Sequence, residues 1–206
     1  DTPSNNFATG NSLLTGAPGT YSNGNLTNSN NSGNWKTIFS SIAVSSGKWY
    51  AEAKCTTGHF VVGVSETTSN QLSASGPEHF IGGFTKEVGY YSQNGYKYVE
   101  NSSSSYGATY TEGDIIGMAL DLDSGTRTIT FYKNGSTQGA ITLPTSMETM
   151  TFGICNNQTN SEASFNFGNP PFTISSGNAD ANGHGNFEYA VPSGYFALNT
   201  KNLSEF

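Results

Sequence analysis

Apolar and polar residues alternate over short stretches of this chain, as they do in β-strands. Between positions 113 and 135, apolar residues occupy every second position and so share one face of an extended chain; they are Ile116, Met118, Leu120, Leu122, Ile129 and Phe131. The tripeptide Asp123-Ser124-Gly125 predicts a tight turn with a positive backbone angle, and Asn134-Gly135 predicts a hairpin turn. This block therefore predicts strand, turn, strand, turn.

Similar short runs recur along the rest of the chain, separated by Gly, Asn, Ser or Pro. They cover 35–44, 49–55, 60–64, 80–84, 88–91, 96–99, 115–122, 126–133, 140–143, 150–155 and 163–167. In the run at 48–55, Trp49 points to one side while Tyr50 and Glu52 point to the other, which predicts one buried face and one solvent-facing or half-covered face. Regularly spaced strands without an amphipathic helix of ordinary length predict an all-β protein, a two-layer antiparallel β-sandwich.

We expect three parts in one domain. Residues 1–34 are rich in Asn, Ser, Thr and Gly, but they carry recurring apolar anchors, so they are predicted to pack irregularly on the sandwich. Residues 35–174 form the sandwich itself. Residues 175–206 begin with a flexible loop that lacks large apolar side chains and end in an aromatic segment, which is too short for its own core and is predicted to pack on the same domain.

Composition narrows the possible partners. Of the 206 residues only 11% are charged, the formal net charge is −7, and Arg127 is the only arginine. Binding to phosphate groups needs a basic patch, so nucleic acid is a poor candidate partner. No apolar run approaches the roughly 20 residues of a membrane helix, so membrane insertion is not expected. The chain begins at Asp1 rather than at a methionine, as expected of a processed product or of a piece of a longer protein.

Three segments of the sequence resemble one known family. They are Gly47-Lys48-Trp49-Tyr50-Ala51-Glu52-Ala53, the block at 113–135 with its Gly-Asp-Ile-Ile-Gly start and its Thr-Phe-Tyr-Lys-Asn-Gly end, and Phe165-Asn166-Phe167-Gly168-Asn169-Pro170-Pro171-Phe172. In order and spacing they resemble a SPRY domain, a concanavalin A-like jelly-roll sandwich. The resemblance implies a module that binds its partners through loops.

The flanking segments, 2–9 and 189–203, are similar to sequences that border SPRY-like modules in bacteriophage virion proteins of the tail-fibre or decoration type. This second resemblance implies a protein of the virion surface, assembled in the host cytoplasm. Its partners would be a host-surface glycan or protein, or other virion proteins.

Catalytic and metal sites find little support in the sequence. Asp121 and Asp123 have the alternate spacing of a glycosidase acid pair, but they adjoin a turn, where Asp side chains commonly bind backbone amides. The same residues begin like a calcium loop but lack its sixth-position glycine and distal acid. The three histidines, His59, His79 and His184, are too scattered for a zinc site. We expect no catalytic residue, no metal and no cofactor.

Cysteine usage gives no disulfide framework, because the chain has only two cysteines, Cys55 and Cys155. Each lies in an apolar strand-like run, and the favoured interpretation is two small buried hydrophobic residues. A single bridge between them stays open at this point.

The candidate binding residues lie in loops that are rich in tyrosine and amide side chains. Tyrosine rings stack on sugar or apolar surfaces, and amides both donate and accept hydrogen bonds, which suits carbohydrate or peptide recognition with little charge. The candidates are Tyr90, Tyr91, Gln93, Asn94, Tyr96, Asn156, Asn157 and Gln158. The alternative interpretation is structural, because Asn94-Gly95 is also a turn signal and tyrosines commonly line strands.

Three functional hypotheses follow. The first is a non-catalytic binding module that recognises a host-surface glycan or protein through one rim of the sandwich. The second is a purely structural virion component. The third, with the least support, is a glycan-degrading enzyme, which would need two carboxylates facing each other about 5–10 Å apart.

Overall fold

The computed structural model describes residues 4–13, 19–69 and 80–205 as two packed antiparallel sheets, which confirms the predicted sandwich. The elements in chain order are β1 (Thr20–Ser22), β2 (Thr27–Asn30), β3 (Lys36–Phe39), β4 (Lys48–Cys55), β5 (Phe60–Glu66), β6 (Glu87–Tyr91), β7 (Tyr96–Val99), β8 (Ser102–Ser105), β9 (Ile115–Asp121), β10 (Thr128–Lys133), β11 (Ser136–Thr142), β12 (Met150–Asn156), β13 (Ser161–Asn166), β14 (Phe196–Ala197) and the short helix α1 (Thr200–Leu203).

The eight-stranded sheet has the order β1-β2-β13-β4-β9-β10-β11, and β14 pairs in parallel with β4. The six-stranded sheet has the order β3-β12-β5-β6-β7-β8. Among the described residues no helix is long and apolar enough to cross a membrane.

The core lies between the two sheets and contains the alternating residues of the β9–β10 ribbon. Each of these six side chains is buried in one cluster, as the sequence predicted: Ile116, Met118, Leu120, Leu122, Ile129 and Phe131. Aromatic rings from the opposite sheet, among them Phe60 and Phe152, fill the same layer. A few large aromatic side chains thus supply much of the buried area in a chain with a modest apolar content.

The two turns of the ribbon differ from each other. Asn134 and Gly135 have φ values of 47° and 78°, the left-handed pair of a two-residue hairpin, which confirms that prediction. The predicted positive angle in Asp123-Ser124-Gly125 is wrong, because none of the three residues has one. The connection instead spans 122–127, and the Asp121 carboxylate holds it by accepting hydrogen bonds from the N–H groups of Asp123 and Ser124.

Residues 80–84 and strand β8 are two of the segments that differ from their predicted structure. Residues 80–84 form turns rather than the predicted strand, because Ile81 packs onto the outer face of the six-stranded sheet with Val61 and Cys155. Strand β8 was not predicted, since its four serines have no apolar pattern. It forms because the hairpin turn at Glu100 and Asn101, with φ values of 49° and 67°, pairs it with β7.

The outer face of β4 is more deeply buried than the sequence indicated. Tyr50 is 1% exposed and Glu52 is 0% exposed. Tyr50 packs with Ala119 and with Phe187 and Ala197 of the C-terminal segment, which therefore covers this face of the eight-stranded sheet. The proposed division of the chain into three parts stays a prediction.

Both cysteines are buried and free, which answers the question that the sequence left open. Cys55 lies in the cluster between the sheets, whereas Cys155 lies in the cluster on the outer face of the six-stranded sheet. The sheet separates the two thiols, so they form no bridge.

Candidate functional site

One rim of the six-stranded sheet collects the loops that the sequence singled out. Asn156, at the end of β12, is opposite Phe60 at the start of β5, and Tyr91, at the end of β6, is opposite Val61. The loops that follow β6 and β12 and the loop that precedes β5 therefore emerge at the same place. The strand order brings the two predicted groups, 90–96 and 156–158, to a common rim.

The loop before β5 connects the two groups. The N–H of Asn157 donates to the carbonyl of His59 at 3.3 Å. The Gln158 side chain lies directly over Gly58, which has a φ of 86° and leaves no room there for a β-carbon. On the other side of the loop, the His59 ring meets the Tyr91 ring edge to face, with centroids 6.4 Å apart.

A groove of about 390 Å³ opens beside this loop. Its lining combines the loop before β5, the loop after β6, the segment before β9 and the end of β10, through Gly58, His59, Ser92, Gln93, Thr109, Tyr110, Thr111 and Lys133. Ser92 and Tyr110 form its buried base, and His59 and Gln93 are exposed on its walls.

Hydrogen bonds hold the base of the groove in place. The Ser92 hydroxyl accepts from the N–H of Phe60 at 3.0 Å, and the Tyr110 hydroxyl donates to the carbonyl of Tyr90. Burial raises the pKa of Tyr110 well above its ordinary value, so this hydroxyl stays neutral. The bottom of the groove is therefore fixed and uncharged, which is suited to a ligand that binds by shape and hydrogen bonds.

The lysine of the groove is already paired. Lys133 Nζ lies 3.3 Å from Asp114 Oδ2 and donates to the carbonyl of Thr109 at 2.8 Å. Burial by itself opposes ionisation of Asp114, but hydrogen bonds from the Thr111 N–H, Asn134 and Lys133 outweigh it and hold the pKa of Asp114 below its ordinary value. The groove therefore presents mainly uncharged donors and acceptors.

An aromatic cluster adjoins the groove through Tyr91. The Tyr91 ring lies edge to face with Trp35 at 5.8 Å, with Phe80 at 5.6 Å and with Tyr98 at 6.2 Å. All four rings are partly exposed on the outer face of the six-stranded sheet. The Tyr91 hydroxyl donates to Gln93 Oε1 at 2.7 Å, so the ring cluster and the groove wall are coupled.

Two of the sequence candidates do not reach the surface. Tyr90 and Asn156 are both 0% exposed. Successive strand residues point to opposite faces, so Tyr91 points outward whereas Tyr90 points into the core, where it packs 5.3 Å from Phe131. The residues that remain accessible are Tyr91, Gln93, Asn94, Tyr96, Asn157 and Gln158. Among them, Asn94 also accepts the N–H of Tyr96 at 3.0 Å and so stabilises its own turn.

Other groove residues were missed by the sequence analysis. His59 was excluded as a zinc ligand and, like Thr109, Thr111 and Lys133, was not among the predicted binding residues. Lys133 ends the most strongly patterned strand, so its position at a rim was the available signal. Nothing local indicated that positions 59, 109 and 133 meet, because strand pairing alone brings them together.

The acidic pair has a structural role in the turn. Asp121 Oδ2 lies 2.8 Å from Lys48 Nζ and accepts the Ser124 hydroxyl at 2.7 Å. Asp123 accepts the N–H of Gly47 at 2.7 Å. Within the described ranges no three His, Cys, Asp or Glu side chains are grouped to hold a metal ion, and His79 lies outside those ranges.

The family model of the SPRY domain matches residues 48–170. The chain belongs to the SPRY family. Its match spans β4 to the exit of β13 and so includes the groove and most of the core. SPRY domains are in general protein-interaction modules and typically non-catalytic.

Solved structures show the same fold. A human SPRY domain is 21% identical, with 68% of this chain and 90% of that chain covered and a TM-score of 0.54. The PSpry domain of TRIM65 is 17% identical, with 78% and 89% covered and a TM-score of 0.60. The SPRY domain of human HERC1 is 19% identical, with 80% and 95% covered and a TM-score of 0.53. Comparison with curated protein sequences gives no significant match.

Proposed function

We propose that this SPRY domain is a non-catalytic binding module on the surface of a phage virion, of the tail-fibre or decoration type, and that it recognises a host-surface glycan or protein. The observation that carries the proposal is the rim groove, in which three separate loops and the end of β10 converge. The bottom of this groove is uncharged and is held by hydrogen bonds. Convergent polar groups in a concave site are typical of ligand binding.

The chemistry of the groove favours a ligand with little charge. Lys133 is neutralised by Asp114, which leaves the His59 ring, the amide of Gln93 and the hydroxyls of Thr109 and Thr111 as the lining groups available to a ligand. These groups match sugar hydroxyls and peptide amides equally well. The neighbouring Tyr91 ring adds a surface on which a sugar ring or an apolar side chain stacks.

The virion context is supported by the flanking segments. Their sequences resemble the borders of phage SPRY-like modules, and in the structure they lie side by side. The N–H of Ala8 donates to the carbonyl of Leu198 at 2.9 Å, and Phe7 forms an isolated antiparallel β-bridge with Asn199. Paired flanks suit a module that is inserted as a unit into a longer virion protein.

Ligand screening tests the binding role. The domain is applied to a glycan array and to a random-peptide display library, and the best ligand is titrated against His59→Ala, Gln93→Ala and the control Thr126→Ala at the opposite rim. We expect about tenfold weaker binding for the groove variants, equivalent to about 1.4 kcal/mol, and no change for the control. No ligand in either screen, or equal binding by all variants, contradicts the proposal.

The virion role has a separate test in the genome. We expect the coding sequence to lie among tail or capsid genes and its product to be detected by mass spectrometry in purified particles. Metabolic genes as neighbours and absence of the protein from the particles would reject the virion role while leaving the groove intact as a binding site.

A further inference from the structure

Strand β8 forms one outer edge of the six-stranded sheet. It pairs only with β7. The opposite residues are Val99 and Ser102, Tyr98 and Ser103, Lys97 and Ser104, and Tyr96 and Ser105. All four of its serine side chains are exposed. The edge is thus reachable by another chain.

The backbone groups of two serines point away from the sheet. Val99 and Ser102 close the two-residue hairpin and so exchange hydrogen bonds, and such pairs alternate with non-bonded pairs along an antiparallel ladder. Ser103 and Ser105 fall in the non-bonded pairs and direct their N–H and C=O groups outward. Tyr96, which is opposite Ser105, is consistent with this register. Its N–H donates to the Asn94 side chain and not to Ser105.

Two other edge strands, β11 and β3, carry protection that β8 lacks. Strand β11 has an irregular register at Gly139, whose φ is 102°, and the Tyr106 hydroxyl donates to the Gly139 carbonyl. Strand β3 is covered by the N-terminal segment, where the N–H of Asn11 donates to the carbonyl of Phe39 at 2.7 Å. Natural sheets usually block their edges with bulges, charges, proline or covering segments, and within the described ranges β8 shows none of these.

Two tyrosine rings lie beside the open edge. Ser103 and Ser105 share the outer face with their ladder partners Tyr98 and Tyr96. Tyr96 is 38% exposed, and Tyr98 joins the aromatic cluster through Phe80 at 4.8 Å. Because the serines are short, side chains of an added strand can extend over them and pack against the two tyrosine rings.

We propose that β8 accepts an extended segment of a partner protein as an additional antiparallel strand, with apolar side chains at alternate positions seated over Ser103 and Ser105 against Tyr96 and Tyr98. The outward backbone groups of the two serines supply the hydrogen bonds, as in other cases of strand addition. None of these four residues lines the rim groove, although Tyr98 belongs to the aromatic cluster that adjoins it, and the inference does not depend on the groove's ligand.

A second copy of this chain is the less suitable occupant. Two β8 strands would place serine opposite serine, so that the contact would consist of a few backbone hydrogen bonds and almost no apolar burial. Such bonds contribute little net free energy, and association has a large entropic cost. A partner with large apolar side chains adds the burial that the serines do not provide.

Strand addition is tested with three capped heptapeptides that alternate threonine with valine, leucine or phenylalanine, titrated into the intact domain by fluorescence anisotropy. We expect binding of at least one peptide, loss of at least tenfold in Ser103→Pro, which lacks the outward N–H, and unchanged binding in the control Ser103→Ala. Tyr96→Ala is expected to weaken binding severalfold.

Amide hydrogen exchange of the unsubstituted domain gives a readout that does not depend on the folding of a variant. We expect the peptide to slow exchange at Ser103 and Ser105 and not at Ser104. No binding by any of the three peptides, full binding by a folded Ser103→Pro variant, or protection elsewhere would overturn the proposal. Concentration-dependent dimers that Ser103→Pro abolishes would overturn the choice of partner in favour of a second copy.

Discussion

The carboxylate of Glu52 accepts a hydrogen bond from the backbone N–H of Tyr189 at 2.9 Å, across 137 residues of sequence. It also accepts from the N–H of Glu188 at 3.0 Å and from Asn166 Nδ2 at 3.1 Å. The side chain is completely buried. One acidic residue of β4 thus supplies the acceptors that attach the C-terminal segment to the outer face of the eight-stranded sheet.

Replacement of Glu52 should weaken this attachment. Glu52→Ala leaves the N–H groups of Glu188 and Tyr189 without acceptors in a buried site, and each such group costs about 1–3 kcal/mol. We expect the free energy of unfolding, measured by urea denaturation, to fall by about 3 kcal/mol. The control Glu162→Ala, on exposed β13 surface, should change it by less than about 0.5 kcal/mol. Equal effects of the two substitutions would contradict the role of Glu52.

Stability should also depend on pH through Glu52. Burial raises the pKa of Glu52, although its hydrogen bonds partly oppose this. A folded-state pKa above that of the unfolded chain means that the folded state binds the proton more tightly, so the stability contributed by this group is present at low pH and is lost as pH rises through the raised pKa.

Glu52→Gln provides the matched comparison because glutamine does not titrate. We expect the difference in unfolding free energy, Glu52 protein minus Gln variant, to decrease as pH rises from the ordinary glutamate pKa of 4.5 through the raised value. A difference that is constant with pH, or that grows as pH rises, would show that the folded-state pKa of Glu52 is not raised.

The hairpin at Asn134-Gly135 offers a test of backbone strain. Gly135 has a φ of 78°, and a β-carbon there would lie 2.8 Å from Tyr189 Cδ1. Gly135→Ala should destabilise the domain by about 1–2 kcal/mol, the cost of a left-handed alanine. Gly125→Ala is the matched control, since its φ is not positive and a β-carbon meets nothing within 4 Å. Thermal unfolding that ranks the control as equally damaging would rule out strain as the cause.

Both thiols should be inert in the folded protein. Burial raises the pKa of Cys55 and of Cys155 to about 12, and neither residue is exposed. The thiolate is the reactive form, so we expect almost no reaction with a disulfide reagent at pH 8 until denaturant is added, when two thiols per chain should titrate. Fast labelling without denaturant would mean that one sheet opens readily.

Local patterns were sufficient for much of the fold. The inward positions of β9 and β10, from Ile116 to Phe131, were predicted because side-chain alternation is a property of the strand itself. The Asn134-Gly135 turn was predicted because two residues determine its backbone geometry. The turn at Asp123-Ser124-Gly125 was predicted too, but its backbone angles were not, since they depend on the carboxylate of Asp121, which lies in the preceding strand.

The residues of the rim groove and its surroundings were only partly predictable. Tyr91 and Gln93 were found from their residue types, whereas the partners that complete the groove, His59 and Lys133, are distant in sequence. Tyr90 was predicted to lie on the same surface, but its side chain lies in the core. Residue type alone does not show which of two adjacent tyrosines points outward.

The amino-acid sequence by itself determined that this protein is a sandwich of short antiparallel strands, because strand period and turn chemistry are encoded within a few neighbouring residues. Only the tertiary structure decided which loops share a rim, which edge stays open and which face the C-terminal segment covers. These features depend on strand order and register, which arise from packing between residues far apart in the chain.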